Sequence, residues 1–122
     1  MNKNPFEKLS SFSFHDGHPK YFSWDGCDAI LEYENWQERL YRLVFKKVAY
    51  IQGLGGGASL CDATITNDTE KISQDIEALN YDWATDGTWN VDKLIKLTIF
   101  DDIPILVIIF EDVEIVEVER KR

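Results

Sequence analysis

Apolar and polar residues alternate along much of the chain, and this alternation predicts β-strands. The clearest run spans residues 27–34, where alternate apolar residues fall on one face and polar residues, apart from Ile30, fall on the other. A period of two is typical of a strand that is buried on one side. Comparable runs predict further strands at residues 12–15, 20–25, 39–51, 60–65, 105–110 and 113–118, and one that starts at Val91 or Lys93 and ends at residue 100. Short links join most neighbouring runs, which favours antiparallel pairing.

Two of these runs change phase, which predicts local irregularities in the sheet. After Lys46 and Lys47 the apolar positions move to Val48 and Tyr50, on the opposite parity, so a β-bulge is expected near the two lysines. The last run slips once in the same way. Residues 105–110 are apolar at every position, which indicates a central strand that is covered on both sides.

Polar or flexible residues mark the breaks between the runs. The acidic pairs at 101–102 and 111–112 are expected to turn the chain. Pro5, Gly17 and Pro19 interrupt the first nineteen residues, because proline and glycine disfavour regular structure. We therefore expect no regular element there beyond the short strand at residues 12–15.

One segment has the pattern of a helix. Its apolar residues recur at helical spacing: Ile72, Ile76 and Leu79. Asn67 or Asp68 can cap its start, and Glu70 follows Asn67 by three residues, as in a capping box. The helix is predicted at about residues 69–80.

These elements together predict an α+β fold in a single domain, residues 1–122. We expect a single, mostly antiparallel β-sheet of six to eight strands with the one helix packed on it. A chain of 122 residues is long enough to bury a core of its own.

The charge of the chain limits its partners. The sequence has 22 acidic and 13 basic residues, a net charge of −9. Such a surface repels nucleic-acid phosphates and anionic membranes, and it attracts a basic protein. No run of signal-peptide length follows the first residues, and the apolar stretch from Ile103 to Phe110 is too short to span a bilayer. We expect a cytoplasmic protein.

Cys27 and Cys61 are the only cysteines, and both lie in apolar, strand-like stretches. Buried free thiols are therefore expected, although the sequence gives no distance that would exclude a disulfide. The chain has no C-x-x-C pair, so no structural zinc site is predicted.

Motifs for catalysis are weak or missing. The glycines at 53, 55, 56 and 57 lead into a strand with no following lysine, unlike a phosphate-binding loop. His15, Asp16 and His18 form an H-D-x-H pattern that can hold a metal or support hydrolysis if a third ligand joins it. No nucleophile elbow is present. We predict no cofactor and no catalytic residue, and favour a protein that is not an enzyme.

Tryptophans in two predicted connections, residues 35–38 and 81–90, indicate a binding surface. The connections place aromatic rings among carboxylates: Glu34, Trp36 and Glu38 around the first, and Asp82, Trp83 and Asp86 in the second. Aromatic side chains often carry the binding energy of an interface, and the neighbouring acids suit a basic partner. The alternative is that both rings fold back and cover the core.

Part of the chain resembles a known family. The matching segments are Phe14-His15-Asp16-Gly17, Leu31-Glu32-Tyr33 and the strand from Tyr41 to Val48. Over about residues 12–51 they resemble the immunity protein 50-like group of bacterial toxin systems and related small domains. The resemblance implies a toxin-binding protein without catalysis, and it carries over no catalytic residues.

Three hypotheses follow. The first is an acidic binding protein, an immunity protein that neutralises a toxin by direct contact. The second is a small metal-binding or hydrolytic protein centred on His15, Asp16 and His18. The third is a self-associating domain whose apolar C-terminal strands, including Ile103 to Phe110, pair across a two-fold axis.

Overall fold

The chain folds around one antiparallel sheet. The computed structural model describes residues 4–53, 61–78, 91–101 and 104–118. Six strands lie in these ranges: β1 His18–Trp24, β2 Ala29–Glu34, β3 Leu40–Gly53, β4 Asp62–Thr66, β5 Ile95–Phe100 and β6 Pro104–Val118. Their order in the sheet is β1-β2-β3-β6-β5-β4, with every neighbouring pair antiparallel. The expected antiparallel α+β sheet is confirmed, and the helices are a minor part of it.

The N-terminal region differs from the sequence prediction. Residues 12–15 form no strand, and a short helix, α1 Pro5–Ser10, precedes them. The side chain of Asn4 accepts a hydrogen bond from the amide of Glu7 at 2.8 Å and donates one to its carboxylate at 3.0 Å. Pro5 stands at the first helical position, where the missing N–H costs nothing. The proline that was expected to break structure therefore starts a helix.

The expected turn at Glu111 and Asp112 is wrong, because β6 runs through both residues. Lys46 pairs with Asp112, so the acidic pair lies opposite the phase change that the sequence predicts in β3. The register itself shifts three residues further on, between Val48 and Tyr50. The predicted bulge is thus confirmed close to its expected position, and pairing with β3 keeps the acidic pair extended.

The turn between β1 and β2 supports this irregular part of β3. Gly26 takes a φ of 100°, and the Asp25 carboxylate accepts hydrogen bonds from the amides of Cys27 and Asp28 at 2.9 and 2.8 Å. The carbonyl of Cys27 then accepts from the Val48 amide at 2.8 Å. Cys27 is exposed in this turn and Cys61 is buried, and neither forms a disulfide. The expectation of a buried thiol is wrong for Cys27, since the strand starts two residues later.

The sheet curls around an apolar inner face. Buried side chains from four of the strands meet there with residues of the N-terminal segment: Leu9, Phe14, Leu31, Tyr33, Leu43, Phe45, Leu97, Ile99, Ile108, Phe110 and Val113. Gly17, just before β1, forms an antiparallel bridge with Cys61, just before β4, and its carbonyl accepts from the Cys61 amide at 2.8 Å. The two outermost strands therefore meet at their first residues.

Tyr33 fastens the N-terminal segment to this inner face. Its side chain is fully buried, and its hydroxyl donates to the carbonyl of Phe14. The rings of Phe12 and Phe14 pack edge-on against it, with centroids 6.1 and 5.1 Å away. Burial raises the pKa of Tyr33 well above its ordinary value, so the hydroxyl remains a donor at physiological pH.

Helix α1 contacts both β6 and β4. Leu9 is buried in the core, and the Lys8 ammonium donates to the carbonyl of Val113 at 3.2 Å. That carbonyl lies beyond Phe110, the last β6 residue that pairs with β5. A lysine therefore satisfies a backbone acceptor on the part of β6 that β5 does not reach.

The second helix, α2 Thr69–Ala78, covers part of the outer face of the sheet. Asp68 caps it, since its carboxylate accepts from the amides of Glu70 and Lys71 at 3.1 and 3.2 Å. Ile72 packs against Leu94 and Ile109. The predicted helix is confirmed for residues 69–78, and residues 79–80 lie outside the described ranges. No helix of the described ranges is long and apolar enough to cross a membrane.

The apolar run that motivated self-association lies inside the sheet. Pro104 to Phe110 pairs with β5 on one side, and Leu106 to Phe110 pairs with β3 on the other. Both backbone edges of residues 106–110 are therefore occupied, and Ile103 lies outside the described ranges. Strand pairing with a second copy along residues 106–110 is not open to the protein.

Replacing Tyr33 with Phe tests the fastening of the N-terminal segment. The carbonyl of Phe14 would lose one of its two donors, since the Gly17 amide still donates to it at 3.2 Å; losing one such hydrogen bond costs about 0.5–1.5 kcal/mol. We expect urea denaturation to show a loss of this size. Tyr41→Phe is the control, because Tyr41 is only partly buried; equal effects of the two substitutions would contradict this role of the hydroxyl.

Candidate functional site

The turn between β2 and β3 presents Trp36 to solvent. Asn35 builds this turn, since its side chain accepts from the amides of Gln37 and Arg39, both at 3.0 Å. Glu38 adopts a φ of 62°, which closes the turn. Trp36 is 58% exposed, so it does not fold back onto the core. For Trp36, the structure therefore supports exposure to solvent and not the alternative in which its ring covers the core.

The two acids beside Trp36 have different surroundings. The side chain of Glu34 is only 14% exposed, and its carboxylate lies 3.9 Å from the Lys20 ammonium. Glu38 is exposed at the tip of the turn. Glu38 is therefore the acid of this pair that a partner can reach readily. Asp82, Trp83 and Asp86 lie outside the described residues.

Beside this turn, part of the outer face of the sheet is not covered by α2. We call it the outer patch; it consists of Tyr21, Ile30, Val44 and Val116 with two ion pairs, Glu32–Arg42 and Lys46–Glu114. Strand register places these residues in two adjacent rows: Tyr21, Glu32, Arg42 and Val116 in one, and Ser23, Ile30, Val44 and Glu114 in the other. Three of the four large apolar side chains that are exposed in the described ranges thus lie on the patch or in the adjoining turn.

The sequence analysis did not predict the outer patch, although one residue of β2 indicates it. Ile30 is the exception to the polar face of β2, and Val44 pairs with it across the sheet. Tyr21 and Val116 are 54% and 56% exposed. The aromatic and aliphatic positions of four separate strands become one surface only through the strand order.

A cleft of about 550 Å³ opens next to the outer patch, where β3 and β6 are irregular. Its apolar lining includes Phe6, Leu94 and Ile95, and its charged lining includes Lys47 and Glu111. Lys46 also borders the cleft, and its ion pair with Glu114 belongs to the outer patch. The two surfaces are therefore continuous.

His15 lies between two carboxylates. Its Nδ1 is 3.1 Å from Asp62 and its Nε2 is 3.2 Å from Asp16. Only the charged imidazolium can donate from both nitrogens. The hydrogen bond to Asp62, followed by the charge of Asp16, raises the pKa of His15 above its ordinary value of 6.5. The same hydrogen bond lowers the pKa of Asp62.

The second histidine is not part of this cluster. His18 pairs with Glu34 at the start of β1, whereas the partner that joins His15 and Asp16 is Asp62. Within the described ranges, no three His, Cys, Asp or Glu side chains are grouped as metal ligands. The predicted set of His15, Asp16 and His18 is thus not brought together as a metal site.

Neither cysteine has the surroundings of a nucleophile. The charge of Asp28 raises the pKa of Cys27, and burial raises the pKa of Cys61. A reactive cysteine needs a lowered pKa to form its thiolate. Neither thiol is thus activated by its surroundings.

Comparison of the chain with models of protein families, with curated proteins and with solved structures finds no match. The resemblance to the immunity protein 50-like group stays a prediction.

The His15 cluster predicts a pH dependence of stability. A raised pKa means that the contribution of His15 is complete below the imidazole's unfolded value and is lost as pH rises through the folded value. The lowered pKa of Asp62 gives a contribution that is lost as acid protonates this carboxylate. We therefore expect His15→Gln to lower the urea midpoint at pH 5 and to leave it nearly unchanged at about pH 8.5. An equal loss at both pH values would contradict the assignment.

Proposed function

We propose that this chain is a non-catalytic acidic binding protein whose outer patch and Trp36 turn dock on a basic protein. The observation that carries the proposal is the gathering of exposed Tyr21, Trp36 and Val116 on and beside one uncovered part of the sheet. Large apolar side chains exposed together are typical of a protein interface. The immunity function implied by the family resemblance makes a toxin the proposed partner.

The geometry of the patch suits a preformed interface. Four strands fix its rows by register, and hydrogen bonds that the Asn35 side chain accepts from the amides of Gln37 and Arg39 fix the turn that carries Trp36. A side chain that is already held in place loses less entropy on binding. An exposed tryptophan on a rigid turn is therefore a strong candidate for the main anchor.

The charges of the protein act mainly on the rate of encounter. The carboxylates of Glu32 and Glu114 on the patch lie 3.0 and 2.9 Å from Arg42 and Lys46, so they are compensated locally. The net charge of −9 creates the longer-range attraction for a basic partner. Glu38, and the proposed Asp82, Trp83 and Asp86, would add contacts around the anchor.

We further propose a cytoplasmic site of action, where an immunity protein meets an incoming toxin. The proposal needs no cofactor. Neither alternative, a metal or hydrolytic site nor a self-associating domain, has a comparable supporting feature among the described residues, since His18 lies apart from the His15 cluster and residues 106–110 of the apolar C-terminal run are paired on both sides.

A matched pair of tryptophan variants tests the proposed anchor. Trp24 is 49% exposed but lies at the other end of β1, opposite Ala29. The tagged protein is used to capture its partner from lysate of the native source, and the partner is then purified. We expect Trp36→Ala to weaken binding at least about tenfold, since truncating an anchor has effects of this size, and Trp24→Ala to change it less than about twofold.

Salt provides the second readout of the same experiment. Association with a basic partner should slow as ionic strength rises, because the attraction between the two net charges is screened. Equal effects of Trp36→Ala and Trp24→Ala would reject the proposed surface. A partner that is acidic, or binding whose rate is independent of salt, would reject the charge argument.

A further inference from the structure

The cleft beside the outer patch is built by an unusual backbone. Lys47 adopts a φ of 53°, a left-handed conformation that costs a residue with a β-carbon free energy. The amide of Lys47 donates to the Asp28 carboxylate at 3.4 Å, and the amide of Val48 donates to the carbonyl of Cys27 at 2.8 Å. Bulges and strained residues concentrate at binding sites. Lys47 lines the cleft, and its strained backbone therefore indicates a binding site there.

In the described part of the chain, three lysines and three acids line the cleft: Lys46, Lys47, Lys93, Asp92, Glu111 and Asp112. The ion pair between Lys47 and Glu111 joins an exposed group to a nearly buried one. The side chain of Glu111 is only 13% exposed, whereas that of Lys47 is 72% exposed. The two charged groups are 3.8 Å apart, which is too long for a hydrogen bond. A nearly buried carboxylate thus has a loosely held, solvent-exposed cation as its ion-pair partner.

Apolar side chains lie next to this carboxylate. Leu94 and Ile95 are almost fully buried, and Phe6 is partly buried; all three line the cleft together with Glu111 and Asp112. An acidic group beside apolar surface matches a ligand that has a cationic head on an apolar stem. Lysine and arginine side chains have this chemistry.

We propose that the cleft binds a lysine or arginine side chain of a protein partner. The ammonium or guanidinium would displace Lys47 from Glu111, and the stem would pack chiefly on the partly exposed ring of Phe6. The source of the cation rests on the proposed function, because a basic partner presents such side chains beside the outer patch. The chemistry of the cleft itself can be tested without that partner.

The direct test is an amide NMR titration of the full chain with blocked single amino acids. The probes are N-acetyl-arginine methylamide and the corresponding lysine compound. Blocked norleucine, which has a stem without a charge, and blocked glutamate are the controls. We expect the two cationic probes alone to shift the amides of Leu94, Ile95, Glu111 and Asp112 in the millimolar range.

Two substitutions at the cleft should act in opposite directions. Glu111→Gln should weaken binding of blocked arginine about tenfold, the usual effect of losing a bond to a charged group. Lys47→Asn, which tolerates the left-handed backbone, should strengthen it about twofold to fivefold by removing a weakly held competing cation. Glu117→Gln is the control, because Glu117 lies on the same strand with a similarly long contact of 3.7 Å to Arg39.

The outcomes are distinct. Shifts of equal size with blocked norleucine or blocked glutamate, or no shifts with any probe, would overturn the proposal. So would a Lys47→Asn variant that binds blocked arginine more weakly than the unsubstituted protein. If the cationic probes bind as expected while no basic partner is found, the proposed function fails and the cation site stands. If Glu111→Gln does not fold, Lys47→Asn alone decides the site.

Discussion

The fold depends on a close approach between Gly17 and the ring of Tyr33. A β-carbon at position 17 would lie 2.4 Å from a ring carbon of Tyr33 and 2.5 Å from the carbonyl oxygen of Glu34. Only glycine permits this contact. Gly17 also pairs with Cys61 and brings together β1 and β4, the two outermost strands of the sheet. Residues 11–17 are thereby held against the inner face, and α1 is kept where its first residues border the cleft.

The surfaces proposed for binding are consequences of how the remaining strands pair. Phase changes that lie opposite each other in β3 and β6 keep both strands paired while their side chains exchange faces. The inner face stays apolar before and after the phase changes. The residues at the phase changes line the cleft: Lys46, Lys47, Glu111 and Asp112. Helix α2 covers the outer face only around Ile72, Leu94 and Ile109. Among the described residues, the outer patch is part of the outer face that α2 does not cover, so its position follows from one short helix and that of the cleft from one irregularity.

The sequence predicted what depends on local pattern. Alternation placed most strands, and the cap at Asp68 with its following apolar residues placed α2. The motif of Asn4, Pro5 and Glu7 is a readable start for α1, because proline breaks a helix in its interior but is favoured at its first position. Longer-range features were beyond reach: the acidic pair at 111–112 reads as a turn until β3 is seen opposite it, and His15 meets Asp62 across 47 positions. The outer patch needed the strand order, because its residues come from four strands.

The central claim, that a glycine contact closes the sheet over its N-terminal segment, is tested most directly with two glycine variants in urea denaturation. Gly17→Ala inserts a methyl group against Tyr33 and the Glu34 carbonyl, and overpacking of this kind is expected to cost about 3 kcal/mol. Gly26→Ala meets no atom within 4 Å and is strained only by its φ of 100°, so a loss of about 1 kcal/mol is expected. A loss for Gly17→Ala that is no larger than that for Gly26→Ala would contradict the account.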